Sequence, residues 1–268
     1  MAFKTIGNIL NNPKALEIFR EHGVDVDHPE LCTLQAKIYR ERSNKEIQIA
    51  GGGAKYIMFD SLCLWEGKKK LSATFDKWDP NQQSNPNQQS NLTVARNLKG
   101  NAANLSKLMK THPKKIVLFG PPGTGKTMLS LAMMKYLRAD GKTTMFVSST
   151  ELVSLFWQSY KYKDAQDRKE KVLDAMESVD VLVIDDLGTE GGVNSDKPVQ
   201  KDVQQVINQI ATARYDTNSN KVLKSTIVTT NNTPDELSLI YGGKTVSRLL
   251  PHNPYYQFDF SELNDIRE

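Results

Sequence analysis

The chain has 268 residues, of which 38% are hydrophobic and 25% are charged, and its formal net charge is +4. These values are typical of a globular protein with one full-sized domain and a smaller one, and no apolar run is long enough to predict a membrane span. Two cysteines exclude a disulfide framework, and the first residues lack a secretory signal pattern, so we expect a cytoplasmic protein.

Residues 1–75 are predicted to form a small, mainly helical N-terminal domain. Two stretches with helical spacing, NPKALEIFREHG and PELCTLQAKIYRERSNKE, each have a proline near the start. Gly51–Gly53 break the pattern, and the residues Tyr56–Phe59 predict a short strand. Four side chains are of types that bind zinc: His22, His28, Cys32 and Cys63. They include no C-x-x-C pair, which argues against a zinc site without excluding one.

Residues 76–112 are predicted to be a basic linker, rich in Asn, Gln and Ser, followed by a helix that precedes the main domain. Asp79–Asn91 repeats the unit NQQSN around a proline and has no apolar periodicity, which favours a flexible segment. Residues 81–115 carry six basic and no acidic side chains. Such an excess attracts nucleic acid but equally suits a solubilising linker, and charge alone does not separate the two.

Residues 113–268 alternate between predicted strands and helices. The strand segments are KIVLFG, TTMFVSS, VDVLVIDD, STIVTTNN and YYQFDF, and helical patterns separate them. This alternation predicts an α/β domain with a mostly parallel sheet and helices on both faces. In such sheets ligands bind at the carboxyl ends of the strands.

The segment GPPGTGKT (Gly120–Thr127) lies directly between the first strand and a helix, which is the context that a phosphate-binding loop requires. Glycine permits backbone N–H groups to turn towards phosphates, and the following helix adds the positive end of its dipole. Lys126 is expected to contact the β- and γ-phosphates of ATP, and Thr127 to bind Mg²⁺. The expected nucleotide contacts are Gly120, Pro121, Pro122, Gly123, Thr124, Gly125, Lys126, Thr127 and Met128.

Polar residues at the ends of two later strands predict the rest of the site. Asp185 ends the apolar run VLVID and is expected to hold the Mg²⁺ water shell, and Asp186 is placed to polarise an attacking water. One acid on the metal and one on water is typical of a hydrolase. Asn231 at the tip of STIVTTNN is expected to orient that water. The plainer interpretations are a solvated acid for Asp186 and a helix cap for Asn231.

These motifs together resemble the AAA+ ATPases and, more narrowly, the bacterial helicase loaders of the DnaC/DnaI type, a family that includes many phage proteins. The resemblance runs from about residue 74 to residue 260 and includes TFDKWDP, GPPGTGKT, VDVLVIDDLGTE, a helix ending in ARY, STIVTTNN and GGKTVSRLL. It implies a P-loop AAA+ three-layer sandwich without a helical lid. It also implies Mg²⁺-dependent ATP hydrolysis, self-association into an open ring or helix, and loading of a DnaB-family helicase hexamer, held by residues 1–75, onto single-stranded DNA.

The segment YGGKTVSRLL contains GGKT, which looks like the end of a second phosphate loop. Ser238 stands where such a loop has its first glycine, and the segment does not follow a strand, so a second nucleotide site is not expected. In the loader family this segment ends in an arginine finger, and Arg248 matches it. The resemblance implies that Arg248 acts on the γ-phosphate of a neighbouring subunit, whereas its spacing alone equally suits a surface residue.

The stretch ELVSLFWQSYKYKD combines aromatic and basic side chains. Leu152, Leu155 and Phe156 have core spacing. Four candidates remain for contacts with single-stranded DNA: Trp157, Tyr160, Lys161 and Lys163. In the loader family an aromatic on this helix contacts single-stranded DNA, and Tyr160 matches its place. An ordinary amphipathic helix is the alternative.

Three other functions fit parts of the pattern. An IstB-type transposition ATPase shares the same core and delivers a transposase to DNA. A small-molecule P-loop kinase would transfer phosphate to an acceptor without stimulation by DNA. A non-catalytic module would hold ATP without hydrolysing it.

Overall fold

The structure is a computed structural model that describes residues 53–83, 89–189 and 201–267. Its contacts divide the chain into two compact units, Met1–Ala54 and Lys55–Glu268. The sequence predicts a division after residue 75, whereas residues 55–75 belong to the second unit. Most of the predicted N-terminal partner-binding domain lies outside the described residues.

The described part of the second unit contains helices and strands that alternate along the chain. Its helices are α1 (which includes 55–62), α2 (Gln89–Met109), α3 (Lys126–Ala139), α4 (Ser149–Ser159), α5 (Lys163–Ser178), α6 (Lys201–Ala213), α7 (Pro234–Tyr241) and α8 (Gly243–Leu249). Its strands are β1 (Lys115–Phe119), β2 (Thr144–Ser148), β3 (Val181–Asp185), β4 (Tyr215–Asp216), β5 (Lys221–Val222), β6 (Ser225–Thr230) and β7 (Gln257–Asp259). Short 3₁₀ turns lie at Glu66–Lys68, Pro80–Gln83 and Pro254–Tyr256.

Five strands form one parallel sheet in the order β2-β3-β6-β1-β7, and β4 pairs with β5 as a separate antiparallel hairpin. Phe119 at the end of β1 is in register with Thr230 at the end of β6, and Asp185 ends β3 beside Ser148. The carboxyl ends of the strands therefore share one edge. This order, with a phosphate loop after β1, confirms the predicted α/β AAA+ fold. The described residues that follow β7 contain no helix.

The central strands are buried on both faces. Every residue of β2, β3 and β6 is buried, because helices cover both sides of a parallel sheet. This is why β3 reads as an apolar run, VLVI, without alternation, whereas β2 and β6 are equally buried and also contain Ser and Thr. Among the described helices, none is both long and apolar enough to cross a bilayer.

Residues 56–59 are helical, so the strand that the sequence predicts there is wrong. The short apolar run lies in α1, whose Phe59 is buried in the core. After α1 the chain joins the sheet edge, where the Leu64 N–H donates to Phe146 O and the Ser148 N–H donates to Leu64 O, both at 2.9 Å. The ring of Trp65 then stacks on Phe146 with centroids 4.4 Å apart. Residues 55–65 thus extend the core beyond β2.

Cys63 is a core residue in this arrangement. It is 6% exposed, and its thiol lies 3.3 Å from both Phe59 O and the Phe146 N–H. Burial raises the pKa of the thiol to about 11, which keeps it protonated and a poor metal ligand. The other three predicted zinc candidates, His22, His28 and Cys32, lie outside the described residues.

The Asn/Gln-rich linker is partly ordered, in contrast to the flexible segment that its composition predicts. Gln83 is 3% exposed, and its amide bonds both the carbonyl and the N–H of Asn264, at 2.9 and 2.8 Å. Residues 89–91 already belong to α2. Residues 84–88 lie outside the described part. A partner 181 positions away orders Gln83, and a local repeat does not reveal such a partner.

Arg214, in the ARY segment after α6, fixes β6 against the end of α5. Its guanidinium is buried and donates to Met176 O, Val179 O and Thr226 Oγ1 at 2.7, 2.8 and 2.9 Å. These two carbonyl oxygens and one hydroxyl oxygen satisfy a buried cation with hydrogen bonds. The residue therefore positions the strand whose far end carries Asn231.

Candidate functional site

The phosphate loop joins β1 to α3 through three glycines in left-handed conformations. Gly120, Gly123 and Gly125 have φ angles of 134°, 76° and 94°. Gly125 is also the N-cap of α3, so the turn delivers the N-terminal end of the helix to the loop. An L side chain is strained at these angles. The loop therefore has the shape that its sequence predicts, with the α3 dipole directed at a bound anion.

Lys126 is buried inside this loop. Its ammonium donates to Gly120 O at 2.7 Å, to Pro121 O at 2.6 Å and to Asn231 Oδ1 at 2.9 Å. Burial lowers the pKa of Lys126 to about 8. The ammonium thus lies between the loop and the tip of β6, where a phosphate chain would pass.

Asp185 and Thr127 are in direct contact below the loop. The Thr127 hydroxyl donates to Asp185 Oδ1 at 2.9 Å, and Thr229 donates to the same oxygen at 2.6 Å. Burial raises the pKa of Asp185 to about 6, although both hydroxyl donors oppose the rise. A carboxylate beside a threonine hydroxyl is a hard oxygen set that suits Mg²⁺. These residues fit the metal that the sequence predicts.

Asp186 occupies a constrained turn at the end of β3. Its φ is 60°, which is uncommon for a residue other than glycine. Thr229 holds the turn, because its hydroxyl accepts from the Asp186 N–H at 2.9 Å and its carbonyl accepts from the Leu187 N–H at 2.9 Å. Burial raises the pKa of Asp186, and the positive charges of Lys126 and Arg267 oppose the rise. The acid is therefore held towards the loop.

Asn231 connects the lysine to this acid. Its Oδ1 accepts from Lys126 and its Nδ2 donates to Asp186 Oδ1 at 3.3 Å. The cap of α7 is instead Thr233, which forms a capping box with Glu236. Asn231 thus has the site position that the sequence predicts, and the helix-cap interpretation belongs to Thr233.

The segment after β7 packs over the phosphate loop. The Ile266 N–H donates to Gly123 O at 3.1 Å, and an added Cβ at Gly123 would lie 1.8 Å from Asp265 Oδ1. Arg267 pairs with Asp265 at 2.6 Å. On the other side, Trp78 Nε1 donates to Gly125 O at 3.0 Å. Residues distant in sequence therefore contact the phosphate loop on two sides.

Sequence reasoning missed three residues that shape this site: Trp78, Gln83 and Thr229. Thr229 had a weak signal, because it lies at the polar end of β6, two residues before Asn231. Trp78 lies in the TFDKWDP segment, but its bond to Gly125 depends on tertiary packing. Gln83 had no signal of its own.

Arg248 lies far from the phosphate loop of its own chain. It is on α8, where its guanidinium donates to Thr212 Oγ1 at 2.9 Å. The carbonyl of the preceding residue, Ser247, accepts from Lys115 Nζ at 2.7 Å. Lys115 is the first residue of β1, whereas the phosphate loop follows the last residue of β1. A five-residue strand is about 13 Å long. Arg248 therefore lies towards the amino end of the sheet, away from its own Lys126.

The GGKT segment has no phosphate-loop geometry. Gly242 ends α7 and begins α8, so a helix and no strand precedes the segment. The Thr245 hydroxyl donates to Asn208 Oδ1 at 3.2 Å, which directs it to α6. The segment is therefore part of the helix that carries Arg248.

The predicted DNA-binding residues lie at the junction of α4 and α5. Leu152, Leu155 and Phe156 are buried as expected, whereas Trp157 and Tyr160 are 55% and 57% exposed. The two rings are in edge-to-face contact with centroids 6.2 Å apart. Tyr160, Lys161 and Lys163 lie beyond the end of α4. The Tyr160 hydroxyl bonds Asp202, and Lys163 pairs with Asp167 at 3.1 Å.

Replacement of Asp185 by asparagine is expected to stabilise the protein free of nucleotide and magnesium. Because the folded-state pKa is about 6 and an unfolded carboxyl titrates near about 3.9, the folded state binds the proton more tightly. Stability therefore falls as pH rises between these values. We expect Asp185→Asn to raise the free energy of unfolding by about 1–3 kcal/mol at pH 8, measured by urea denaturation.

The stabilisation should disappear below about pH 4, where the wild-type carboxyl is protonated in both states. Asp174→Asn, on the exposed surface of α5, is the control and should change stability little. A wild-type protein more stable than Asp185→Asn at pH 8 would contradict the expected charge burial.

Comparison with known proteins places this arrangement in a family. The family model "IstB-like ATP binding protein" matches residues 72–250. The replicative helicase loader DnaC of Buchnera aphidicola is 28% identical over 151 residues, 56% of this chain and 54% of that protein. The 26S proteasome regulatory subunit 8 of Caenorhabditis elegans is 33% identical over 106 residues, 37% of this chain and 24% of that protein. The matched part of the chain thus spans about half the length of the DnaC relative and about a quarter of the length of the proteasome subunit.

Solved structures with similar folds include a DnaC helicase loader and DnaA of Aquifex aeolicus bound to AMPPCP. The loader has a TM-score of 0.46 and 24% identity, covering 70% of this chain and 96% of that chain. The DnaA structure has a TM-score of 0.49 and 18% identity, covering 72% of this chain and 51% of that chain. The fold assignment itself follows from the strand order and the phosphate loop.

Proposed function

Because the chain belongs to the family of IstB-like ATP-binding proteins, we propose that it hydrolyses ATP as an assembly switch and loads a DnaB-family helicase hexamer onto single-stranded DNA. The observation that carries the ATPase part is the chain of contacts from Lys126 through Asn231 to Asp186. It joins a phosphate-binding cation, a polar orienting group and an acid in one site. The similarity to a helicase loader supports the loading part.

Each residue of this site has a role in hydrolysis that its contacts support. Lys126 and the N–H groups of the loop bind the phosphates and position the γ-phosphate. Asp186 accepts a hydrogen bond from the attacking water, and Asn231 orients that water through its amide. Mg²⁺ held by Thr127 and Asp185 would supply charge neutralisation on the phosphate oxygens. The buried setting strengthens all of these electrostatic contacts.

The site also needs a residue from a second protomer. Arg248 lies towards the opposite end of the sheet from its own loop, and no carboxylate among the described residues pairs with it. An unpaired guanidinium on the surface of a regular helix is suited to reach the γ-phosphate of an adjacent copy. Repeated head-to-tail contacts of this kind give an open ring or a helix. ATP hydrolysis therefore depends on assembly.

Removal of one exposed ring at the α4–α5 junction is expected to weaken binding of single-stranded DNA. A base stacked on an aromatic side chain contributes about 1–3 kcal/mol, so Trp157→Ala and Tyr160→Ala should each lower affinity about 5- to 150-fold. Fluorescence anisotropy with a labelled oligothymidine measures this loss.

Tyr160→Phe is the matched control, because it keeps the ring and removes only the bond to Asp202. It should bind DNA as well as the wild type. A further control is Leu239→Ala, which removes an apolar side chain that is 88% exposed on α7. If the phenylalanine variant loses as much affinity as the alanine variant, stacking is not the contact.

A pull-down with the replicative helicase of the same host tests the proposed partner. The full-length protein should retain the helicase hexamer in the presence of ATP, and Lys126→Ala should lose the dependence on ATP. The other candidate is an IstB-type transposition ATPase that delivers a transposase, and the match to the IstB-like ATP-binding family suits it as well. Capture of a transposase without the helicase would support that candidate and contradict the loader.

A further inference from the structure

A second cavity lies at the amino end of the sheet, away from the phosphate loop. It has a volume of about 430 Å³ and opens between the start of β1, the β4–β5 hairpin and the 3₁₀ turn before β7. The residues that shape it are His112, Lys114, Lys115, Tyr215, Lys221 and Tyr256. No residue of the site described above lines it.

The lining of this cavity is positively charged and includes no carboxylate side chain. Lys115, one of its lining residues, is half-buried and donates to Ser247 O at 2.7 Å. Within the described part of the chain, neither Lys114 nor Lys115 has an acidic oxygen within ion-pair distance. Burial without such a partner lowers the pKa of Lys115 to about 8. An anion in the cavity would therefore supply the acidic partner that the half-buried ammonium of Lys115 lacks.

Two aromatic rings accompany these lysines. Lys115 Nζ lies 5.0 Å from the ring centre of Tyr215, and Lys114 Nζ lies 5.4 Å from that of Tyr256. Both rings are partly exposed. In proteins that bind nucleic acid without sequence preference, a lysine ammonium contacts a phosphate and a nearby aromatic ring stacks on the base. The lysines and tyrosines of this cavity have that arrangement. The volume is also sufficient for a small organic ligand.

We propose that this cavity is a second phosphate site, in which Lys114, Lys115 and Lys221 bind the phosphate of a nucleotide unit and a tyrosine ring packs on its base or sugar. The unit belongs either to a free nucleotide or to a nucleic-acid strand, since both present the same groups. The site is independent of the phosphate loop, which lies at the opposite edge of the sheet. It is adjacent to Arg248, since Ser247 accepts the bond from Lys115.

Binding of labelled oligothymidine and of thymidine monophosphate, with ADP and Mg²⁺ saturating the phosphate loop, tests this proposal. Lys115→Met should weaken at least one of these ligands about tenfold, because it removes a charged hydrogen-bond donor. For the oligonucleotide, the slope of log affinity against log salt should fall by about one. If the variant loses affinity for both ligands, the site also accepts a free nucleotide. If it loses affinity for the oligonucleotide alone, the site binds a nucleic-acid strand.

Matched variants separate the site from a general loss of charge. Lys171→Met removes an equal charge from the exposed surface of α5 and should change neither ligand. Lys221→Met, on the exposed hairpin, gives the same test should Lys115→Met fail to fold. Equal affinities of wild type and both pocket variants for both ligands would overturn the proposal. It would also be overturned if these variants changed self-association alone, because the cavity would then bind a neighbouring subunit.

Discussion

Arg248→Ala is expected to lower the rate of ATP hydrolysis by about 10³- to 10⁵-fold, the range by which an arginine finger accelerates phosphoryl transfer. ATP binding should persist, because Arg248 lies on α8 and bonds Thr212 at a distance from its own loop. Steady-state phosphate release measures the rate, and a fluorescent ATP analogue measures the affinity. No phosphate acceptor is added, so turnover also separates hydrolysis from kinase activity.

Two controls accompany this variant. Thr212→Ala removes the hydrogen-bond partner that holds the guanidinium in the isolated subunit and should leave hydrolysis nearly unchanged. Arg168→Ala removes an arginine from α5 and should also have little effect. If Arg248→Ala keeps its turnover, Arg248 is an ordinary surface residue.

Asp186→Asn is expected to reduce hydrolysis by about 10²- to 10⁴-fold, the usual contribution of a positioned general base. Asparagine keeps the size of the side chain and its contact to Asn231, but it cannot take a proton from water. ATP affinity should change little, since Lys126 and the loop remain. The variant should therefore trap the ATP-bound assembly, seen as a long-lived oligomer in size-exclusion chromatography with ATP.

Asp185→Asn is the informative comparison for this trap. In the wild type the Asp185 carboxylate accepts from Thr127 and is expected to bind Mg²⁺. Loss of this carboxylate should abolish the dependence of nucleotide binding on magnesium. Asp186→Asn should keep that dependence. If both variants lose magnesium dependence equally, the two acids do not have separate roles.

Much of the nucleotide site was predictable because its signals are local. The glycines and Lys126 of the phosphate loop are contiguous, and Asp185 directly ends an apolar run. The parallel sheet brings the ends of β1, β3 and β6 to one edge, so Asn231 also falls in place. These positions follow from the parallel direction of the strands, which the alternation of strands and helices predicts.

The contacts that sequence reasoning missed depend on packing between distant segments. Gln83 is ordered by Asn264, and the loop is covered by Asp265 and Ile266, which no local pattern indicates. The apolar run at residues 56–59 predicts a strand although it is helical, because so short a run fits either element. The β4–β5 hairpin has only two residues in each strand, too few for a period to be visible.

Mixing two inactive variants tests most directly whether adjacent copies share one active site. Arg248→Ala supplies intact Asp186, and Asp186→Asn supplies intact Arg248. With random head-to-tail pairing, the equimolar mixture should recover roughly a quarter of the wild-type ATPase rate. A mixture no more active than either variant alone would contradict an arginine supplied by a neighbouring subunit.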